Sequence, residues 1–243
     1  MQHYKPNYKK FGNKGDVVFF LHGYGGDMTS FKKTINTMRH EYKCFAFDLY
    51  GFGMTPHPNK KMDIYEYAVQ IYLFCVNKNI NKLSIVCHSF GGRIAILLST
   101  IFDLKIDKIV MTGSAGLKPR RTILYYIKIW LYKIKKRMNC KKGNKFGSEE
   151  YKKLSGYKKE SYVAIVNQHL DYLVSLIKSS VLLVWGDRDR STPMYMYKRF
   201  MKGIPNCEGY VFKKSGHFSY LENIYKFNMK VKSFIGRSCV LGD

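Results

Sequence analysis

Short apolar runs alternate along this chain with longer segments of helical period, and that alternation restricts the fold more than any other feature. The runs are 17–21, 44–49, 83–87, 108–112, 181–185 and 209–212, all rich in β-branched and aromatic residues. Between them, 63–77, 91–102, 194–202 and 221–234 read as helices. Repetition of this kind predicts an α/β protein with a mostly parallel sheet covered on both faces by crossover helices. Asp63 with Glu66 three residues on forms a capping-box pattern, and Leu221, Ile224, Phe227 and Val231 read as a core-facing stripe.

One segment breaks the rhythm. Residues 118–159 hold about half of the chain's excess positive charge, and 121–138 place Ile123, Ile127, Trp130 and Ile134 on one helical face with lysines elsewhere. A lysine- and glycine-rich stretch follows, then more helical sequence to Leu176. The organisation expected is a core of 1–117 and 177–243, with 118–176 inserted as a helical cap over the strand ends.

With 243 residues the chain has room for one such domain, and 46% hydrophobic residues argue against disorder. A net charge of +25 attracts anions, yet the lysines are scattered and no nucleic-acid recognition motif accompanies them. Six cysteines without a C-x-x-C pair suggest neither zinc nor a disulfide framework. The N-terminus lacks the layout of a signal peptide, and no apolar stretch approaches the ~20 residues of a membrane span. A cytoplasmic protein with reduced thiols is the expectation.

Four segments carry chemistry. In Ser84 through Arg93 a strand runs into Cys-His-Ser-Phe-Gly-Gly and then a helix, a turn that exposes Ser89 if the residues two positions either side are small. Cys87 and Gly91 meet that demand. Phe-Leu-His-Gly-Tyr-Gly-Gly, after the first strong strand, offers backbone donors for a developing oxyanion, with the N–H groups of Tyr24 and Phe90 as candidates. His22 in that segment reads as a structural hydrogen-bonder. Trp-Gly-Asp-Arg-Asp leaves a strand end with two acids, Asp187 and Asp189, either able to orient an imidazole. Ser-Gly-His-Phe places His217 between the last strand and the last helix, as the expected base. His88 adjoins Ser89 and its side chain is expected to point away.

Taken in order, His-Gly-Tyr-Gly-Gly, Asp48-Leu-Tyr-Gly-Phe-Gly, Cys-His-Ser-Phe-Gly-Gly, Trp-Gly-Asp-Arg-Asp and Ser-Gly-His-Phe resemble the α/β-hydrolase superfamily, in its single-cap branch of esterases, thioesterases and carbon–carbon bond hydrolases. The resemblance implies an α/β-hydrolase fold of six to seven strands, its N-terminal hairpin short or partly missing because only 16 residues precede the first strong strand. It also implies that Asp189 is the acid and that Asp48, with Gly51 and Gly53, is structural.

The reaction expected is acyl transfer from an ester or thioester of a hydrophobic acyl group, with Ser89, His217 and Asp189 as the triad and no metal or cofactor. Trp130, Ile127 and His169 are the cap residues expected to meet the substrate, a small acyl compound. The basic cap also fits weak association with an acidic membrane surface. Two alternatives share the sequence: carbon–carbon bond hydrolysis by the same triad, and a non-catalytic binding protein on this fold.

Overall fold

The computed structural model describes residues 5–120, 130, 151 and 154–237. Among these, seven strands form one sheet: β1 (Asn7–Phe11), β2 (Val17–Leu21), β3 (Lys43–Asp48), β4 (Lys82–His88), β5 (Lys105–Thr112), β6 (Ser180–Gly186) and β7 (Cys207–Phe212). Their order is β1-β3-β2-β4-β5-β6-β7, all parallel except β1, which runs antiparallel to β3 from Asn7 opposite Asp48 to Phe11 opposite Cys44. The short N-terminal element is thus a single edge strand, giving the upper figure of the expected six to seven.

Seven α-helices are present among the described residues: α1 (Lys32–Met38), α2 (Ile64–Asn77), α3 (Phe90–Thr100), α4 (Gly156–Asn167), α5 (Met194–Gly203), α6 (Ser219–Glu222) and α7 (Ile224–Gly236). Alternation along β2 divides the core. Phe19 and Leu21 pack with Ile71, Phe74, Ile94 and Phe200 from α2, α3 and α5, whereas Val18 and Phe20 pack with Ile35, Phe227 and Val231 from α1 and α7. Each such large side chain, removed from water, contributes about 1.5–3 kcal/mol.

The expected last helix, 221–234, is broken. Asn223 leaves helical geometry at φ −124° and ψ 40°, and its Nδ2 donates to Ser215 Oγ at 2.7 Å and to the Ser219 carbonyl at 3.2 Å. Leu221, read as part of the core stripe, is exposed on α6, whereas Phe227 and Val231 are fully buried. Helix α2 starts where expected, with Asp63 and Glu66 closing the capping box.

Of the expected cap, 121–129 and most of 131–153 lie outside the described residues, Ile127 among them. What is described joins the core closely. Ser161 Oγ on α4 accepts from Met62 N at 2.7 Å, Gln168 Oε1 accepts from Ile64 N at 2.9 Å, and Leu170 N donates to the Gly116 carbonyl at 2.8 Å. No helix among the described residues is long and apolar enough to cross a membrane.

Candidate active site

Strand order reverses between β2 and β4, and at such a point the loops leaving the carboxyl ends diverge and open a crevice. Ser89 follows β4 there. Its backbone takes φ 47° and ψ −107°, a conformation that is unfavourable by about 1–3 kcal/mol and so needs a frame to hold it. The frame is hydrogen-bonded: Ser89 N donates to the Thr112 carbonyl at 3.1 Å, and its own carbonyl accepts from Gly92 N and Ala115 N at 3.0 Å each. Small neighbours permit the turn, since a Cβ on Gly91 would stand 2.4 Å from the Leu21 carbonyl oxygen and one on Gly92 1.8 Å from Ser114 Oγ. Cys87 fits without strain, buried with its thiol directed at the Val110 carbonyl 3.4 Å away.

The two acids after β6 separate clearly. Asp189 Oδ2 accepts from His217 Nδ1 at 2.8 Å and from Thr192 Oγ1 at 2.7 Å, while Oδ1 accepts from the Ser191 and Thr192 amides at 2.8 and 2.9 Å. Burial disfavours this carboxylate, but the bonds from His217 and Thr192 outweigh burial and hold its pKa below the ordinary value. The Trp185 indole N–H fixes the loop from beneath by donating to the Thr192 carbonyl at 2.6 Å. Asp187 accepts instead from Ser215 N at 3.3 Å, bracing the loop that carries His217. With Nδ1–H given to Asp189, the remaining ring nitrogen of His217, Nε2, is its proton acceptor.

The other histidines of these segments are buried and occupied. His88 donates from Nε2 to the His217 carbonyl at 3.1 Å and lies 4.6 Å, ring to ring, from His217. Burial, helped by the neighbouring His217, pushes its pKa down to about 3, so it is neutral. His22 donates to the Gly23 carbonyl at 2.7 Å and accepts from Leu49 N at 3.1 Å, and burial lowers its pKa as well. Asp48 accepts from Met28 N, Met54 N and Asn7 Nδ2 at 2.7–2.8 Å, tying the start of β1 and the chain at Met28 and Met54 to the end of β3.

A cavity of about 280 Å³ contains Ser89, His217, Tyr24 and Phe90 in its wall, with Leu117, Ile165 and Met196 among the apolar residues. Phe90 heads α3, so its N–H belongs to the first turn, whose donors have no partner within the helix. Trp130 is 61% exposed, and neither it nor His169 lines this cavity. A larger cavity, about 620 Å³, opens at the opposite end of the sheet beside Lys108 and Cys207. It holds none of the residues just described.

Two residues of the site escape sequence reasoning. Gly113, at φ +49°, lies against the acid–base pair, where a Cβ would stand 3.1 Å from His217 Nδ1 and 3.2 Å from Asp189 Oδ2. Its signal, a Thr-Gly-Ser after a strand, is too common to single out. Arg93 is only 7% exposed and lines the cavity, although a lone arginine in a helix normally reads as surface.

A family model described as alpha/beta hydrolase fold matches residues 16–153. The chain belongs to the α/β-hydrolase fold family. This hydrolase is 24% identical over 238 residues to an uncharacterized hydrolase, YugF, of Bacillus subtilis, covering 86% of each chain. It is 23% identical over 268 residues to a 2-hydroxy-6-oxononadienedioate/2-hydroxy-6-oxononatrienedioate hydrolase of Burkholderia vietnamiensis, covering 96% of this chain and 91% of the relative. Among solved structures its fold is similar to an esterase from Exiguobacterium antarcticum (TM-score 0.78, 18% identity, 96% of both chains) and to a meta-cleavage product hydrolase from Pseudomonas fluorescens (TM-score 0.73, 20% identity, 95% and 93% covered).

Proposed function

We propose that this protein is a serine hydrolase that cleaves a carboxylic ester or thioester of a hydrophobic acyl group through an acyl-enzyme. Ser89 Oγ attacks the carbonyl carbon while His217 Nε2 takes its proton, and the backbone N–H groups of Tyr24 and Phe90 receive the oxyanion. The bond to the leaving group then breaks with the proton returned to it, and a water activated by His217 releases the acid. Asp189 stays ionised and keeps the imidazole in the tautomer that this transfer needs. The segment 118–176 is read as the cap that roofs the site.

The observation that carries the reading is the shared cavity: a serine held at a strained strand-to-helix turn opens into the same space as a histidine whose Nδ1 lies 2.8 Å from a buried carboxylate. The test is labelling by a fluorophosphonate probe together with turnover of p-nitrophenyl esters of increasing chain length. Both are expected in the wild type. Loss of labelling in Ser89→Ala, with turnover down by at least about 10⁴-fold, supports the reading. Labelling that survives Ser89→Ala overturns it.

A second reading is carbon–carbon bond hydrolysis of a diketone-like substrate by the same three residues. It is favoured by the relatives named as hydrolases of 2-hydroxy-6-oxo acids. Strong labelling of Ser89 without turnover of any ester would favour it over the first.

A further inference from the structure

We propose that Arg93 is a specificity residue of this cavity, its guanidinium binding a carboxylate on the substrate, so that the preferred ester is an acid with an apolar body. The inference rests on the reading of Ser89 as nucleophile and adds the substrate's charge.

Arg93 stands one helical turn beyond Ser89 on α3, about 6 Å along the axis, and lines the same cavity. Its recorded polar partner among the described residues is neutral: Nη1 donates to the Gln168 carbonyl. A guanidinium has five N–H donors, so one carbonyl leaves most of them to be used. The nearby acid is engaged elsewhere. Asp171, the acid whose charge reaches Arg93, pairs with Arg199 through Oδ1 and accepts from Lys118 N through Oδ2 at 2.9 Å.

Asp171 lies near enough to favour the charge on Arg93, but among the described residues no carboxylate bonds the guanidinium directly; a buried cation so placed is unfavourable, and Arg93 sits besides in the first turn of a helix, where the dipole repels positive charge. Burial duly pushes its pKa down to about 10, which leaves it charged at neutral pH. If its task were only to tie Gln168 to α3, a neutral amide would serve without this penalty. An anion entering the cavity removes it, and a carboxylate matches the guanidinium with two parallel hydrogen bonds.

The experiment compares esters matched in length and differing in charge. Mono-p-nitrophenyl glutarate against p-nitrophenyl pentanoate places the carboxylate on the acyl side, and p-acetoxybenzoate against phenyl acetate places it on the leaving group. The wild type is expected to favour the charged member of one pair by at least about 30-fold in kcat/KM, mainly through KM, the size of a charge-assisted hydrogen-bond pair. Arg93→Met is expected to collapse that ratio and Arg93→Lys to retain part of it. Independently of any variant, free glutarate should inhibit wild-type pentanoate hydrolysis at least about ten-fold more tightly than free pentanoate. Equal wild-type rates in both pairs, or an Arg93→Met variant that lowers both members by one factor, overturn the proposal while leaving a labelled Ser89 standing. Absence of labelling overturns both readings together.

Discussion

His88 and His22 are kept neutral inside the native molecule, and that gives the protein a predictable weakness toward acid. The His88 pKa falls from about 6.5 in an unfolded chain to about 3 in the native one, and His22 shifts in the same direction. Between those values the unfolded chain binds a proton that the native chain refuses, so unfolding becomes easier as pH drops. The stabilisation is fully present above about pH 6.5 and is lost progressively below it. His88 alone should account for about 2 kcal/mol between pH 7.5 and pH 5. Urea midpoints at the two pH values check this, the fall being smaller in His88→Gln by that amount; an unchanged fall removes His88 from the account. Two further residues control the imidazole itself. Asp189→Asn, able to donate where Asp189 only accepts, should invert the tautomer of His217 and lower kcat by about 10³–10⁴-fold at nearly constant KM. Gly113→Ala places a methyl 3.1 Å from His217 Nδ1, tighter than ordinary van der Waals contact, at a left-handed φ, and should cost about 1 kcal/mol in stability while lowering kcat about 10–100-fold. Unaltered kinetics in Gly113→Ala would show that the ring has room to shift.

At the scale of elements, the start of α2 shows how the segment from Gly156 to Gln168 is fastened to the rest of the molecule. Asp63 accepts from Glu66 N at 3.0 Å, Glu66 Oε2 accepts from Asp63 N at 2.8 Å, and Ser161 and Gln168 take the amides of Met62 and Ile64. Asp63→Ala should therefore lower unfolding free energy by about 1 kcal/mol with no change in m-value, measured by denaturant titration. A midpoint that does not move would mean that Ser161 and Gln168 hold the helix start alone. The capping box was legible beforehand because both partners lie within one turn. So were the five inner strands, whose continuous apolarity reflects cover on both faces, and β7, an edge strand marked by its aromatic and β-branched residues. β1 was not, since Asn7–Phe11 shows a mostly exposed pattern with adjacent lysines, and its strand character comes from pairing with β3. The break at Asn223 was hidden for a related reason: the apolar spacing continues across it, while its cause is a bond to Ser215 in another loop. The three loops bearing Ser89, Asp189 and His217 were readable from local punctuation, but Gly113 and Arg93 matter only through what tertiary folding brings against them.

For the whole molecule the dominant quantity is charge. Seventeen acids cannot pair one-to-one with forty-two Lys and Arg, so at least twenty-five cations are left without an acid whatever the geometry. The pairs recorded among the described residues, such as Lys232 with Glu41 and Arg237 with Glu208, are exposed and individually worth little. Folding gathers the remaining lysines onto one compact surface, and their mutual repulsion works against the native state more than against the expanded chain. Salt should consequently stabilise this protein. Raising ionic strength from about 0.01 M to about 0.15 M shortens the screening length from about 30 Å to about 8 Å. The expected gain is at least about 1 kcal/mol, or about 2–4 °C in Tm. The rise should be alike with chloride and with other weakly interacting monovalent anions, because screening depends on concentration and not on a site. A rise produced by phosphate at millimolar concentration but not by chloride would point instead to a bound anion, and a flat or falling Tm would mean that the lysines are spaced widely enough to ignore one another.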